Sequence, residues 1–84
     1  MNVVLSKNAR RDYEHLSKSE QAKVRKKLVF LEQTPYAGKK LTGELEGIRS
    51  LRAWPYRIFY EINGAQNRIE VHKIKHRQGA YKSY

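Results

Sequence analysis

The stretch "HKIKHRQGAYKSY", from His72 to Tyr84, holds two histidines, four lysines or arginines and two tyrosines, with no acid among them. These are side chains that handle phosphate. Histidine titrates near pH ~6.5 and gives or takes a proton close to neutrality, while arginine stays protonated and its planar fork matches phosphate oxygens. Tyrosine starts near pKa ~10 and enters proton transfer only when cations around it depress that value. Three readings are open at this point: a basic tail, a nucleic-acid grip, or the working end of an enzyme.

The whole sequence shares that character. Its 84 residues carry 18 lysines and arginines against 8 acids, a formal charge of +10. Up to Gly38 there are 8 basic and 4 acidic residues, and beyond it 10 and 4, so the excess is spread and is not a detachable tail. Such a field points to an anionic polymer, an acidic protein, or both as partners. The length fits one small domain over residues 1–84, with no room for a second core. There is no cysteine, which excludes disulfides, thiolate zinc sites and a cysteine nucleophile and suits a reducing, cytoplasmic setting. No apolar run approaches the roughly 20 residues that span a bilayer, and the first residues lack the apolar core of a signal peptide, so no membrane partner is expected. His15, His72 and His76 lack zinc-like spacing, and neither a metal nor another cofactor is expected.

The elements that must position these groups follow from periodicity. "NVVL" reads as a strand over Asn2 to Leu5. From Lys7 to Leu16, Ala9, Tyr13 and Leu16 fall on one helical face. Ser17 and Glu20 have the spacing of a capping box and open a second helix, whose apolar positions are Val24, Leu28 and Leu31. Pro35 ends it by biasing Thr34 away from helical dihedrals. Lys23, Arg25, Lys26 and Lys27 lie mostly off the apolar stripe, giving a helical hairpin with a basic outer face. After the linker "YAGKKLTGELEG" the period shortens to two. A strand from Ile48 to Trp54 precedes one in which Tyr56, Ile58, Tyr60 and Ile62 alternate with Arg57, Phe59 and Glu61. Asn63–Gly64 offers left-handed turn positions, with a longer loop through "AQN" as the alternative. The last strand runs from Arg68 to Lys75, with Ile69 and Val71 opposed to Glu70 and His72. The order β-α-α-β-β-β gives an α+β fold, two N-terminal helices packed on a mainly antiparallel sheet.

In this order, "KLTGELEGIRSLRAWPYRIFYEI" with its L-R-x-x-x-Y-R core and "KIKHRQGAY" with its H-R-x-x-x-Y ending resemble the RelE/ParE superfamily of small toxins from type II toxin–antitoxin systems. The likeness extends over essentially the whole chain; each short motif is unspecific by itself, and their order carries the resemblance. It implies a RelE-like fold, a cognate antitoxin as partner, and one of two activities. RelE-like members are endoribonucleases that cut messenger RNA (mRNA) on the ribosome, in contact with ribosomal RNA; ParE-like members inhibit DNA gyrase. By position, the resemblance carries catalytic roles to Arg57, Arg77 and the late Tyr81. A lysine typical of the nucleases, two residues before the arginine of "LR", is replaced here by Ser50, and Arg49, Arg52 or Lys75 are the candidates to supply that charge.

Metal-free RNA cleavage needs the 2′-OH to attack phosphorus, a proton acceptor and donor, and cations for the phosphorane. Arg57 and Arg77 suit the charge, and His76 and Tyr81 the proton transfers. Arg49, Arg52, Lys73, Lys75 and Lys82, with Lys23, Lys26 and Lys27 on the helix, are the expected RNA and ribosome contacts. The plainer readings stand beside these. On alternation alone Arg57 is a solvated sheet-face charge, His76 only touches phosphate or solvent, His72 is structural, and Tyr56 and Tyr60 are cross-strand packing. Trp54, next to Pro55, reads as core or as a lid. A gyrase inhibitor and a non-catalytic RNA-binding module are the rival functions.

Overall fold

The computed structural model describes residues 1–77. In chain order the elements are β1 (Asn2–Leu5), α1 (Lys7–Glu14), α2 (Lys18–Gln33), β2 (Lys39–Lys40), a 3-10 turn (Gly43–Leu45), β3 (Arg49–Ala53), β4 (Tyr56–Asn63) and β5 (Arg68–His76). The sheet order is β1-β5-β4-β3-β2. β1 runs parallel to β5, and the other neighbours are antiparallel. This is the expected α+β arrangement, with one addition: the linker contributes the two-residue edge strand β2 through Lys39↔Ser50 and Lys40↔Arg49.

Local signals set the helix ends. Ser6 caps α1, its Oγ accepting from the Ala9 amide at 3.1 Å and donating to the His72 carbonyl at 3.0 Å. α1 closes at Glu14, short of the expected Leu16, with His15 as its C-cap. The capping box is present, since the Ser17 side chain accepts from the Glu20 amide while Glu20 accepts from the Ser17 amide. α2 stops at Gln33, and Thr34 leaves helical space at φ −133°, ψ 66° ahead of Pro35. The helices bury Ala9, Val24 and Leu31 against Ala53, Ile58, Tyr60, Ile69, Val71 and Ile74 of the sheet. Each large apolar side chain so buried contributes about 1.5–3 kcal/mol.

Tyr60 is the polar exception in that core. Its hydroxyl donates to the Pro35 carbonyl and accepts from the Gly38 amide, both at 2.8 Å, tying the loop after α2 to the sheet. A Cβ at Gly38 would stand 2.5 Å from the Tyr60 oxygen, so only glycine admits this approach.

The turn takes the longer of its two expected forms, and the alternation of β5 is broken. Gly64 does not adopt a left-handed conformation; the loop is longer and Asn67 takes that role at φ 51°. Strict alternation also fails. The pairing passes from Tyr60↔Val71 to Phe59↔Lys73, leaving His72 as an extra residue in a β-bulge. Val71 and Ile74 therefore both reach the core although three positions separate them. Regular pairing would have aimed Lys73, Lys75 and Arg77 at the core and Ile74 away from it. His72 is held there by Ser6 on its carbonyl and by Glu61, whose Oε1 lies 3.1 Å from Nε2.

Candidate functional site

Residues paired across a sheet share a face, and successive residues alternate between faces. The face turned from the helices thus carries the cross-strand row Arg52↔Arg57↔Lys75 and beside it the row Ser50↔Phe59↔Lys73. Two arginines directly opposite each other repel, so stability alone does not select this row. The Lys75 ammonium lies 3.4 Å from Asp12 Oδ1 on α1, whose carboxylate partly offsets its charge. Phe59 is fully buried and Ser50 nearly so, and the Ser50 hydroxyl has no hydrogen-bond partner among the described residues. Ser50 is thus a small packing residue at the place where the nuclease pattern has a lysine.

One step beyond the cation row is the tip of the β3–β4 hairpin. Trp54 and Pro55 form its two-residue connection, and the Arg77 amide donates to the Pro55 carbonyl at 2.8 Å. The Arg77 guanidinium lies 4.7 Å from the Trp54 ring centroid, a cation–π contact, and Trp54 remains 55% exposed. Of the core-or-lid alternatives for Trp54, core is therefore ruled out. By two-residue steps from Arg52 and Lys75, Trp54 and Arg77 continue the same face as Arg57. Sequence reasoning missed Trp54 as a member of this face, though its spacing from Arg52 was the available signal.

His76 belongs elsewhere. It pairs with Tyr56, whose ring it meets edge-on at 5.4 Å, and Tyr56 in turn donates to Glu20 Oε2 at 2.9 Å on the helix side. Burial, followed by the Glu20 carboxylate, pushes the Tyr56 phenol above its ordinary value. The Ser17 amide, then the Tyr56 hydroxyl, hold Glu20 below its own. A phenol shifted upwards cannot serve as a base near neutrality. Arg49 also lies on the helix side, opposite Tyr60, where its Nη1 donates to the carbonyls of Gly38 at 2.9 Å and Tyr36 at 3.4 Å and its guanidinium stacks over the Tyr36 ring. Lys23, Lys26 and Lys27 are exposed on α2, apart from the cation row. Tyr81 and Lys82 lie outside the described residues. Among the described residues no cluster of three His, Asp or Glu side chains could hold a metal ion.

Comparison with known proteins fits this architecture. Residues 3–81 match the family described as the ParE toxin of the type II toxin–antitoxin system parDE. The chain belongs to the RelE/ParE superfamily of type II toxins. A chain of the RelBE2 toxin–antitoxin complex of Mycobacterium tuberculosis shares the fold, at 30% identity and a TM-score of 0.84 over 89% of this chain and 95% of that one. A YoeB/ParE toxin from Agrobacterium tumefaciens is 25% identical with a TM-score of 0.79, covering 90% and 98%. The Toxin RelE of Mycobacterium tuberculosis is 38% identical over 45 residues, which is 54% of this chain and less than half, 46%, of that protein. No described helix of this toxin is long and apolar enough to cross a membrane.

Proposed function

We propose that this toxin is a RelE-like, ribosome-dependent endoribonuclease that cuts mRNA in the cytoplasm and is neutralised by a cognate antitoxin covering its cation face. The observation that carries the reading is the row Arg52–Arg57–Lys75 with Arg77 one step beyond it, a set of forked and point cations on one sheet face. Such a set suits a substrate phosphate whose charge grows in the transition state. Arg57 and Arg77 stabilise the phosphorane formed when the 2′-OH attacks phosphorus and the 5′ oxygen leaves. Tyr81, to which the family resemblance carries a catalytic role, is the choice for proton transfer, because His76 can take part only by turning from Tyr56. Lys23, Lys26 and Lys27 supply backbone contacts to ribosomal RNA on a separate surface, and Lys73 and Lys82 add to the field around the substrate. That similar solved structures are toxin–antitoxin complexes supports a protein partner, whose carboxylates would meet the same cations.

A second reading has its own support. The matching family is described by ParE, and Ser50 stands in place of the nuclease lysine, which favours inhibition of DNA gyrase through protein contacts. A translation reaction with purified toxin separates the two. Cleavage of translated message at defined sites, mapped by primer extension, is the expected result; intact message with blocked gyrase supercoiling would move the assignment to ParE-like inhibition.

A further inference from the structure

The sequence's single tryptophan sits at a hairpin tip with more than half its surface open, so a flat face of the indole is accessible to a ligand. One of its faces is already supported by a guanidinium, and that guanidinium is fixed at its own backbone by Pro55. Two residues along each flanking strand, about 7 Å away, lie the cations of the Arg52–Arg57–Lys75 row. A flat apolar plate edged by a cation, one short step from a row of phosphate-binding groups, has the chemistry of a single nucleotide: a π-face and an anion joined by a sugar. We propose that Trp54 and Arg77 form a stacking ledge for one unpaired base of a bound RNA strand, while Arg52 and Arg57 take the adjoining phosphate. Stacking accepts any base, so the ledge holds the strand in register beside the cations and does not read its sequence. Its dependence on the endoribonuclease reading is limited to RNA being the ligand.

The experiment uses the indole as its own reporter. The full chain is titrated with a single-stranded octaribonucleotide, with inorganic polyphosphate as an anion that has no base, and with gyrase holoenzyme, while tryptophan fluorescence is followed. Saturable quenching by the octaribonucleotide but not by polyphosphate is expected. Trp54→Ala should weaken octaribonucleotide binding, measured by anisotropy of a labelled strand, by roughly tenfold or more, with Trp54→Phe restoring most of it. The salt dependence of binding should stay unchanged in Trp54→Ala, because no phosphate contact is lost. Strand binding without quenching, or undiminished in Trp54→Ala, overturns the ledge, as does quenching by gyrase alone. Quenching by RNA in a protein that leaves translated message intact keeps the ledge and removes the nuclease. Cleavage with an unquenched indole does the reverse.

Discussion

The Tyr60 hydroxyl and the Gly38 amide meet at 2.8 Å inside the core, and the same hydroxyl closes on the Pro35 carbonyl. Tyr60→Phe would leave a buried donor and a shielded carbonyl without partners, at a cost of about 1–3 kcal/mol. Gly38→Ala would force the phenol aside. Urea unfolding should show both variants destabilised and the double variant less than additive, since both break one contact. Additive losses would mean that the two residues act separately.

Arg57→Ala and Arg77→Ala should each slow message cleavage by roughly 10²-fold or more, the loss typical of one transition-state donor, while circular dichroism stays native. Folded variants that cut at the parental rate would place the chemistry elsewhere.

Arginines on the two faces should separate by salt. Arg52→Ala and Arg57→Ala should each lower the slope of log K against log salt for RNA binding by about 1. Arg49→Ala should leave that slope alone and lower stability, because its guanidinium is spent on the Tyr36 and Gly38 carbonyls. A slope change for Arg49→Ala equal to that of Arg57→Ala would contradict the division of faces.

The bulge yields an unusual expectation for deletions. Removing His72 gives β5 a regular ladder with Val71, Lys73 and Ile74 still on their present faces, so the protein should fold, weakened by about 2 kcal/mol through the lost Ser6 and Glu61 contacts. Removing Ile69 has no such escape and brings a charged neighbour into the core. Soluble expression and thermal melting distinguish the two; equal failure of both would sink the argument.

Acid should loosen the fold through Glu20 and Glu70. The Ser17 amide holds Glu20, and the Arg68 guanidinium holds Glu70, below the ordinary 4.5. The unfolded chain therefore takes up protons first as pH falls. Their stabilisation is complete above about pH 4.5 and is lost below it, towards the depressed folded values. Melting temperatures between pH 6 and 3 should fall less steeply in Glu20→Gln and Glu70→Gln than in the parent; identical slopes would remove these groups as the cause.

Helix periodicity, the capping box and the β4 alternation were legible because each depends on neighbours within a turn or a strand. β2 was not, since two lysines become a strand only when Arg49 and Ser50 pair with them. The side of β5 on which Lys73, Lys75 and Arg77 emerge was also hidden. It depends on one unpaired residue, and period-two reading beyond Val71 gives the opposite face. His76 was chosen because an imidazole exchanges protons near neutrality, yet it and Arg77 are adjacent residues that point apart, and its ring meets Tyr56. Arg49, read as an RNA contact, is drawn to carbonyls of a loop that sequence alone does not bring near.

The partner of β1 lies far along the chain: Ser6 reaches the His72 carbonyl across a separation of 66 residues, and among the described strands β1 pairs with β5 alone. During synthesis the first strand must wait, unpaired, until β5 has left the exit tunnel, and α1 waits with it for the same surface. Contacts this distant in sequence form late. A nascent or truncated chain that lacks β5 accordingly has no assembled Arg52–Arg57–Lys75 row.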